Sequence, residues 1–458
     1  MKKPELLIAD KKSKTSLRVL VMLYCFLITP IISPILQAQI NPKRVLDSLL
    51  LTFPQDGAGG VVTVLDQNKI IYSGTYGYAN IEWNIPNAVD VKYRIGSITK
   101  TFTALAVLQL AEKGQISLKD RAKKWLPETD LDDRITIEYL LSHTSGIQSG
   151  KKELEFNPGE RMNYSNYGYI LLGQIVLKVS GIPYEEYLKK NIFVPLGMNG
   201  SGYDHNENIV LRRASGYRIS EKGFTNAPFM DMEVPGAAGG LYSTAQDLVV
   251  FEKSLEGNSI FSKSLLESTF KPFELNDGKT SKYGFGWIIN NYRGWREIST
   301  GGDIEGFNSY FAYFPDKKRT VIVLQNITML MGTDWSGGGR LAHHIVDLLW
   351  GNELQPALKI IELPKEKLQI LTGIYEFENP TEELISANGP SLTITEENGK
   401  LIVQAKDKRV PVEPISETEF IVPGMDVSIK FLIGANRKAS ELTMNLMGVR
   451  EYKAKRIQ

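Results

Sequence analysis

Cysteine is almost missing from these 458 residues. Cys25 stands alone, which excludes a disulfide framework and a thiolate metal cluster. Histidine is scarce as well, with four in the chain. There is no His-Glu-x-x-His pattern, no phosphate-cradling glycine loop and no paired-carboxylate arrangement, so neither a metal nor a cofactor is implied. A formal net charge of +1 gives no overall basic field, and nucleic acid is not an expected partner. With 42% hydrophobic and 23% charged residues the composition is globular. That excludes wholesale disorder, a collagen-like chain and a polytopic membrane protein. The length suits two or three units of ordinary size.

The first thing present is an N-terminal leader pattern. Lys2, Lys3, Lys11, Lys12, Lys14 and Arg18 outweigh Glu5 and Asp10, and no charge follows from Val19 to Pro42. Val19 to Ile28 is the apolar heart, while Pro30 and Pro34 would break a regular spanning helix. Residues 1–39 are therefore expected to be a signal peptide, cut near Ala38 and Gln39, and the protein to be exported, periplasmic or secreted. The alternative is a retained anchor, the one case in which a membrane would be a partner.

Behind the leader, residues 40–57 have helical spacing, and Gly59 to Leu65 and Ile70 to Tyr72 flank a turn at Asp66-Gln67-Asn68-Lys69. A strongly patterned helix spans 97–113, burying Phe102, Leu105, Ala106 and Leu110, and stops at Gly114. Strand signals return at Ser309–Phe314 and Thr320–Leu324, around Pro315-Asp316-Lys317-Lys318. A helix over 339–350 closes this unit. Strands at both ends with helices between predict an antiparallel sheet completed by sequence-distant strands and flanked by helices. Residues 351–364, with Pro356 and Pro364, read as a linker between a first domain, 40–350, and a second, 365–458. In the latter the period becomes two. Leu392, Ile394, Leu401 and Val403 alternate around Glu397-Asn398-Gly399, an Asn-Gly hairpin turn. Val427, Ile429 and Phe431, then Leu442, Met444 and Leu446, flank Gly434-Ala435-Asn436. A small antiparallel β sheet or barrel is expected there.

The strongest chemical signal is Ser97-Ile98-Thr99-Lys100. A serine hydroxyl is a poor nucleophile until a base takes its proton. A lysine one helical turn away, on the same face and in a dry site, can be that base. The helix N-terminus favours the negative charge that develops. The spacing alone is common: Ser149/Lys152 and Ser268/Lys271 share it. Ser97 alone stands at the mouth of a long apolar helix after a glycine. A second element is Tyr164-Ser165-Asn166, just before the apolar helix 167–179. Tyr164 would relay a proton between the serine and the leaving group, and Asn166 would hold Lys100 and a substrate carbonyl. Tyr78-Ala79-Asn80 has the same pattern but precedes the nucleophile and adjoins a strand.

These residues, in this order, resemble the serine β-lactamase and D-alanyl-D-alanine peptidase superfamily, on its class C β-lactamase and esterase branch. The likeness extends through Tyr93-Arg94-Ile95-Gly96 before the serine and Thr101-Phe102-Thr103-Ala104 after the lysine. It continues in Leu140-Leu141-Ser142-His143-Thr144-Ser145-Gly146-Ile147, Tyr164 to Tyr169, Pro195-Leu196-Gly197-Met198, Gly239 to Thr244 and Tyr283 to Trp287. It covers roughly 45–350 of the chain. It implies an α/β (α+β) β-lactamase/transpeptidase-like fold, with an all-helical lobe packed on the sheet and the site between them. It also implies an acyl-enzyme on Ser97, with Lys100 and Tyr164 as its base system.

One element departs from that family. Counting back from Gly306-Phe307 puts Thr300 where Lys or His is usual, followed by Gly301, Gly302 and Asp303; Lys279-Thr280-Ser281 comes too early in the chain. In the family this strand edge donates to the oxyanion, together with the N–H of Ser97, and offers a cation to a substrate carboxylate. Gly301, Gly302 and the Asp303 N–H keep the first role, whereas Thr300 cannot fill the second and Asp303 adds a negative charge. An ester, or a neutral or amine-bearing amide or peptide, is the expected small-molecule or peptide substrate. A true β-lactamase or D-Ala-D-Ala carboxypeptidase is the alternative, with Arg296, Lys282 or Arg213 restoring the cation. A non-hydrolytic binding protein on this scaffold is a third. His143 reads as a structural turn histidine and His205 as a loop residue. His343 and His344 are adjacent on a helix and point apart. Gly332 and Gly338-Gly339 read as loop glycines. Trp287, Tyr283 and Tyr242 suit core packing and a cleft wall equally.

Overall fold

Strand Gly60–Asp66 is buried on both of its faces, which calls for cover above and below. Val61 and Leu65 enter one core, Val62 and Val64 another. The chain is described here by a computed structural model covering residues 41–458, apart from 221–222, 258–259, 329–336, 379, 381–383, 386–388, 407, 423–426 and 447–449. The expected leader, with Cys25, and Gly332 lie outside the described residues.

The first strand pairs with Lys69–Tyr76 through a turn at Gln67 and Asn68 and, from the far end of the domain, with Arg319–Gln325. Gly60 faces Gln325 and Asp66 faces Arg319. Phe307–Phe314, Trp295–Ile304 and Ile288–Tyr292 extend this antiparallel sheet to six strands. Helices Pro42–Leu50 and Gly338–Trp350 cover one face with Leu46, Leu50, Leu341, Ile345 and Val346. The other face, through Phe311, Ile322 and Leu324, packs on the helical region that includes Phe102, Leu172 and Phe251. This is the expected sheet flanked by helices, with a helical lobe beside it.

Two local expectations need correcting. The helix read over 97–113 starts as a 3-10 turn, Gly96–Ile98, and becomes α-helical at Thr99–Glu112. It is also buried all round from Thr99 to Leu110 rather than on one stripe. Its threonines tolerate this because their hydroxyls find carbonyls: Thr101 Oγ1 donates back along the helix to Ile98 O at 2.8 Å, and Thr103 Oγ1 donates across to Ala237 O of a neighbouring turn at 2.7 Å. Gly338 and Gly339 are not loop glycines. They open the last helix of the domain, and the Gly338 N–H donates to Asn308 Oδ1.

Beyond the sheet domain, eight strands between Gly373 and Arg456 close into an antiparallel barrel. Its inward residues, among them Tyr375, Leu392, Ile394, Leu401, Val412, Phe420, Ile429 and Leu442, fill a core of their own. Asn398 and Gly399 both adopt positive φ, 51° and 79°, as an Asn-Gly hairpin turn requires. No helix among the described residues is long and apolar enough to cross a membrane.

One buried acid gives the sheet domain a pH dependence. Glu252, on helix Ala245–Ser254, is fully buried, and Thr320 Oγ1 donates to its Oε1 at 3.1 Å. Burial pushes its carboxyl from the ordinary 4.5 up to about 7, with Glu256 adding repulsion. Between those values the folded protein keeps a proton that the unfolded chain releases, so stability falls as pH rises from about 4.5 to about 7. Glu252→Gln should remove that slope. At pH 8 the variant should be more stable than the wild type by up to about 3 kcal/mol, with the two converging near pH 4.5. Thermal melts across pH 4.5–8 check this, and parallel curves for the two proteins would refute it.

Candidate functional site

Gly96 allows the turn that presents Ser97. It sits at φ +49°, and a Cβ there would stand 3.0 Å from the Asp303 N and 3.2 Å from the Gly302 Cα. Gly302 is tighter still, since its Cβ would fall 1.9 Å from Ile95 O. Glycine at both positions lets strand Trp295–Ile304 run directly against the residues before the serine. Ser309, cross-strand from Gly302, bridges the two by donating to Ile95 O at 2.9 Å. On the other side Ile95 N–H donates to Leu241 O at 3.0 Å, and Leu241 N–H to Thr99 Oγ1 at 3.2 Å. The turn is thus held from both flanks, and Ser97 is half-buried between buried Gly96 and Ile98.

Lys100 is fully buried. Its Nζ lies 3.0 Å from Ser97 Oγ and 2.8 Å from Ala238 O. It also stands 4.7 Å from the centroid of the Tyr164 ring and 5.8 Å from that of Tyr169. Ser97, Lys100 and Tyr164, drawn from sequence positions up to 67 apart, therefore meet at one amine. Of the two roles expected of Asn166, the contact to Lys100 is filled by another group, while its exposed side chain stays open to a substrate carbonyl. Asn166 is the exposed first residue of helix Asn166–Ser180, and the oxygen seen beside the lysine is the Ala238 carbonyl. Ala238 belongs to a 3-10 turn, Gly236–Ala238, tied to the nucleophile helix by the Thr103–Ala237 bond. No side-chain pattern in the sequence marks that carbonyl.

The strand edge expected to meet substrate runs from Thr300 to Ile304. The outer strand, Ile288–Tyr292, pairs only as far as Ser299, so from Thr300 onward this edge has no neighbour on that side among the described strands. Gly301, Gly302 and Asp303 follow, paired on their inner side with Tyr310, Ser309 and Asn308. Thr300 is 6% exposed and the Asp303 side chain is exposed. Of the cations proposed to replace a lysine here, Arg213 and Arg296 are engaged with other groups. Arg213 and Arg94 both bind the buried Asp204. Arg296 donates to Phe270 O at 3.2 Å and sits four positions back along the strand, about 13 Å away. Lys282 is exposed, and its main-chain carbonyl accepts from Ile289 of the outer strand.

The look-alike motifs are structural. Ser268 Oγ donates to Leu265 O, Lys279 pairs with Asp277, and Tyr78–Asn80 is a strand paired with Ile85–Pro86. Ser149 and Lys152 lie in the stretch between Gly146 and Phe156, away from any helix. Trp287 belongs to the core, stacked with Phe251, and Tyr283 is buried against His143 and Tyr164. His343 Nε2 meets Glu297 Oε1 at 2.8 Å, and His205 Nδ1 meets Glu233 Oε1 at 2.7 Å.

Comparison with known proteins agrees with this geometry. Residues 46–333 match the family described as Beta-lactamase. Penicillin-binding protein 4* of Bacillus subtilis (strain 168) is 29% identical over 452 residues, covering 87% of this chain and 96% of its own. The octameric penicillin-binding protein homologue from Pyrococcus abyssi superposes with a TM-score of 0.59 at 26% identity, covering 90% of this chain and 99% of that one. A D-stereospecific amidohydrolase from Streptomyces gives 0.56 at 25% identity, covering 69% and 99%.

Proposed function

We propose that this chain, which belongs to the β-lactamase family of serine hydrolases, opens an ester, amide or peptide bond whose leaving side carries no carboxylate. Acting as the neutral amine, Lys100 takes the Ser97 hydroxyl proton while Oγ bonds to the substrate carbonyl carbon. The resulting oxyanion is held by the N–H groups of Ser97 and Asp303. Tyr164, against the amine, relays the proton to the leaving oxygen or nitrogen as its bond to carbon breaks. Water then attacks the Ser97 ester, giving its proton back along the same groups, and the acid product leaves. We also propose that the protein works outside the cytoplasm, which the basic segment followed by the uncharged stretch Val19–Pro42 supports.

The observation that carries the substrate preference is Thr300, buried at the head of the open edge where the resemblance calls for Lys or His. The D-stereospecific amidohydrolase among the structural relatives supports an amide or peptide substrate. The penicillin-binding relative favours a second reading, turnover of β-lactams or muropeptides. Purified enzyme assayed side by side on a p-nitrophenyl ester, a D-amino acid amide and a chromogenic cephalosporin tests both. Thr300→Lys should raise kcat/KM for the carboxylate-bearing cephalosporin about tenfold or more relative to the ester, the worth of one charged hydrogen bond. An unchanged ratio would remove Thr300 from the account of selectivity, and fast cephalosporin turnover by the wild type would favour the second reading.

A further inference from the structure

His143 has no step in the reaction as drawn, yet its surroundings are arranged about Tyr164. It is 1% exposed and has a left-handed backbone, φ +60°, a conformation uncommon outside glycine. In this conformation both of its acceptors meet the same segment. Its carbonyl accepts the Asn163 N–H at 2.8 Å, and its Nδ1 accepts the Ser165 N–H at 3.1 Å. Asn163 and Ser165 are the residues on either side of Tyr164. The imidazole then lies on the Tyr164 ring, with centroids 4.3 Å apart, and Tyr169 and Tyr283 pack around it at 4.9 and 4.6 Å. Because Nδ1 accepts an N–H, a proton there would set donor against donor. The bond requires the neutral ring with its hydrogen on Nε2.

We infer that His143 is a positioning residue for Tyr164, fixing the main chain on both sides of it and the plane of its ring. The Tyr164 ring is thereby kept against the Lys100 amine, where a displacement of about 1 Å costs on the order of 10²-fold in rate. This rests on the acyl-enzyme reading above, in which Tyr164 relays the proton.

The test uses His143→Leu and His143→Asn, each in the wild-type and the Tyr164→Phe background, with kcat and KM for p-nitrophenyl acetate and a thermal melt for every variant. Asparagine tolerates a left-handed backbone and brings an acceptor oxygen close to where Nδ1 stood. His143→Leu should lower kcat about 100-fold with KM changed less than about threefold, and His143→Asn should recover about tenfold of that loss. In the Tyr164→Phe background His143→Leu should cost less than about threefold, because the group it positions has lost its hydroxyl. Equal losses in both backgrounds, or a change in KM alone, would overturn the proposal. Should the leucine variant fail to fold, His143→Asn carries the same comparison: about a tenfold loss in the wild type and none with Tyr164→Phe. Ser97→Ala run alongside separates the two failures. Turnover that ignores Ser97 removes the acyl-enzyme reading, whereas Ser97-dependent turnover with additive losses removes only the role of His143.

Discussion

Ser97→Ala should lose covalent labelling by a fluorophosphonate probe and should lower kcat/KM on an activated ester by about 10⁴-fold or more, the scale on which loss of a nucleophile acts. The structure makes this substitution unusually clean. The Ser97 hydroxyl faces Lys100 rather than a structural partner, and the neighbouring backbone is held by Ile95, Thr99, Leu241 and Ser309. Removing one oxygen should therefore leave the melting temperature within about 2 °C, since surface-type changes away from such ties are worth under about 0.5 kcal/mol. No other serine is an obvious substitute. Of the two that share the Ser-x-x-Lys spacing, Ser268 donates to its own helix and Ser149 stands outside any helix. Intact-mass measurement of the labelled wild type and variant decides the matter. An adduct of the same size on the variant, or ester turnover within tenfold of wild type, would mean that the nucleophile lies elsewhere.

How much of this was legible in the sequence depended on whether the deciding interaction was local. The pair Ser97 and Lys100 was legible because their contact follows from a helical turn, and the Asn398-Gly399 hairpin because those residue types adopt its positive-φ backbone most readily. The two-faced burial of Gly60–Asp66 was written as an apolar run broken only by Thr63, but its partner Arg319–Gln325 lies more than 250 residues on. Only the return of strand signals late in the domain hinted at that pairing. Within the site, the limit was backbone chemistry. The Ala238 carbonyl beside Lys100 belongs to an alanine, whose side chain says nothing of it. Asn166 carries an amide suited to that role, yet it stands exposed at the start of its helix while the Ala238 carbonyl takes the place beside the lysine. His143 was readable as a structural turn residue. That it clamps both neighbours of Tyr164 depended on a left-handed φ that no histidine pattern announces. Thr300 was the reverse case: its identity was plain, and what the structure adds is that Arg213 and Arg296 already have partners of their own.

Lys100→Met should be the second large loss, about 10²–10⁴-fold in kcat/KM, the range typical of a general base. Methionine keeps the length and the unbranched stem of lysine, so the buried channel between helix Thr99–Glu112 and the turn at Ala238 stays filled. What disappears is the amine within reach of Ser97 Oγ, Ala238 O and the Tyr164 ring. Two opposing effects act on stability. Taking a polar group out of a fully buried position is favourable, while leaving the Ala238 carbonyl without its donor costs about 1–3 kcal/mol. The melting temperature should consequently move by a few degrees at most, far too little to account for a thousandfold loss of activity at 25 °C. Lys100→Arg is the discriminating companion. A guanidinium could still donate to Ala238 O and keep a positive charge against the tyrosine rings, but it cannot give up its proton at any usable pH. If Lys100 served only to hold the Gly236–Ala238 turn or to place a charge, the arginine variant would keep a large share of the activity, and the methionine variant would lose activity in step with its stability. If Lys100 is the base, both variants should fall together while both remain folded, and Ser97 should be labelled slowly in each. Stopped-flow acylation rates on the two variants, set beside their melts, separate these outcomes.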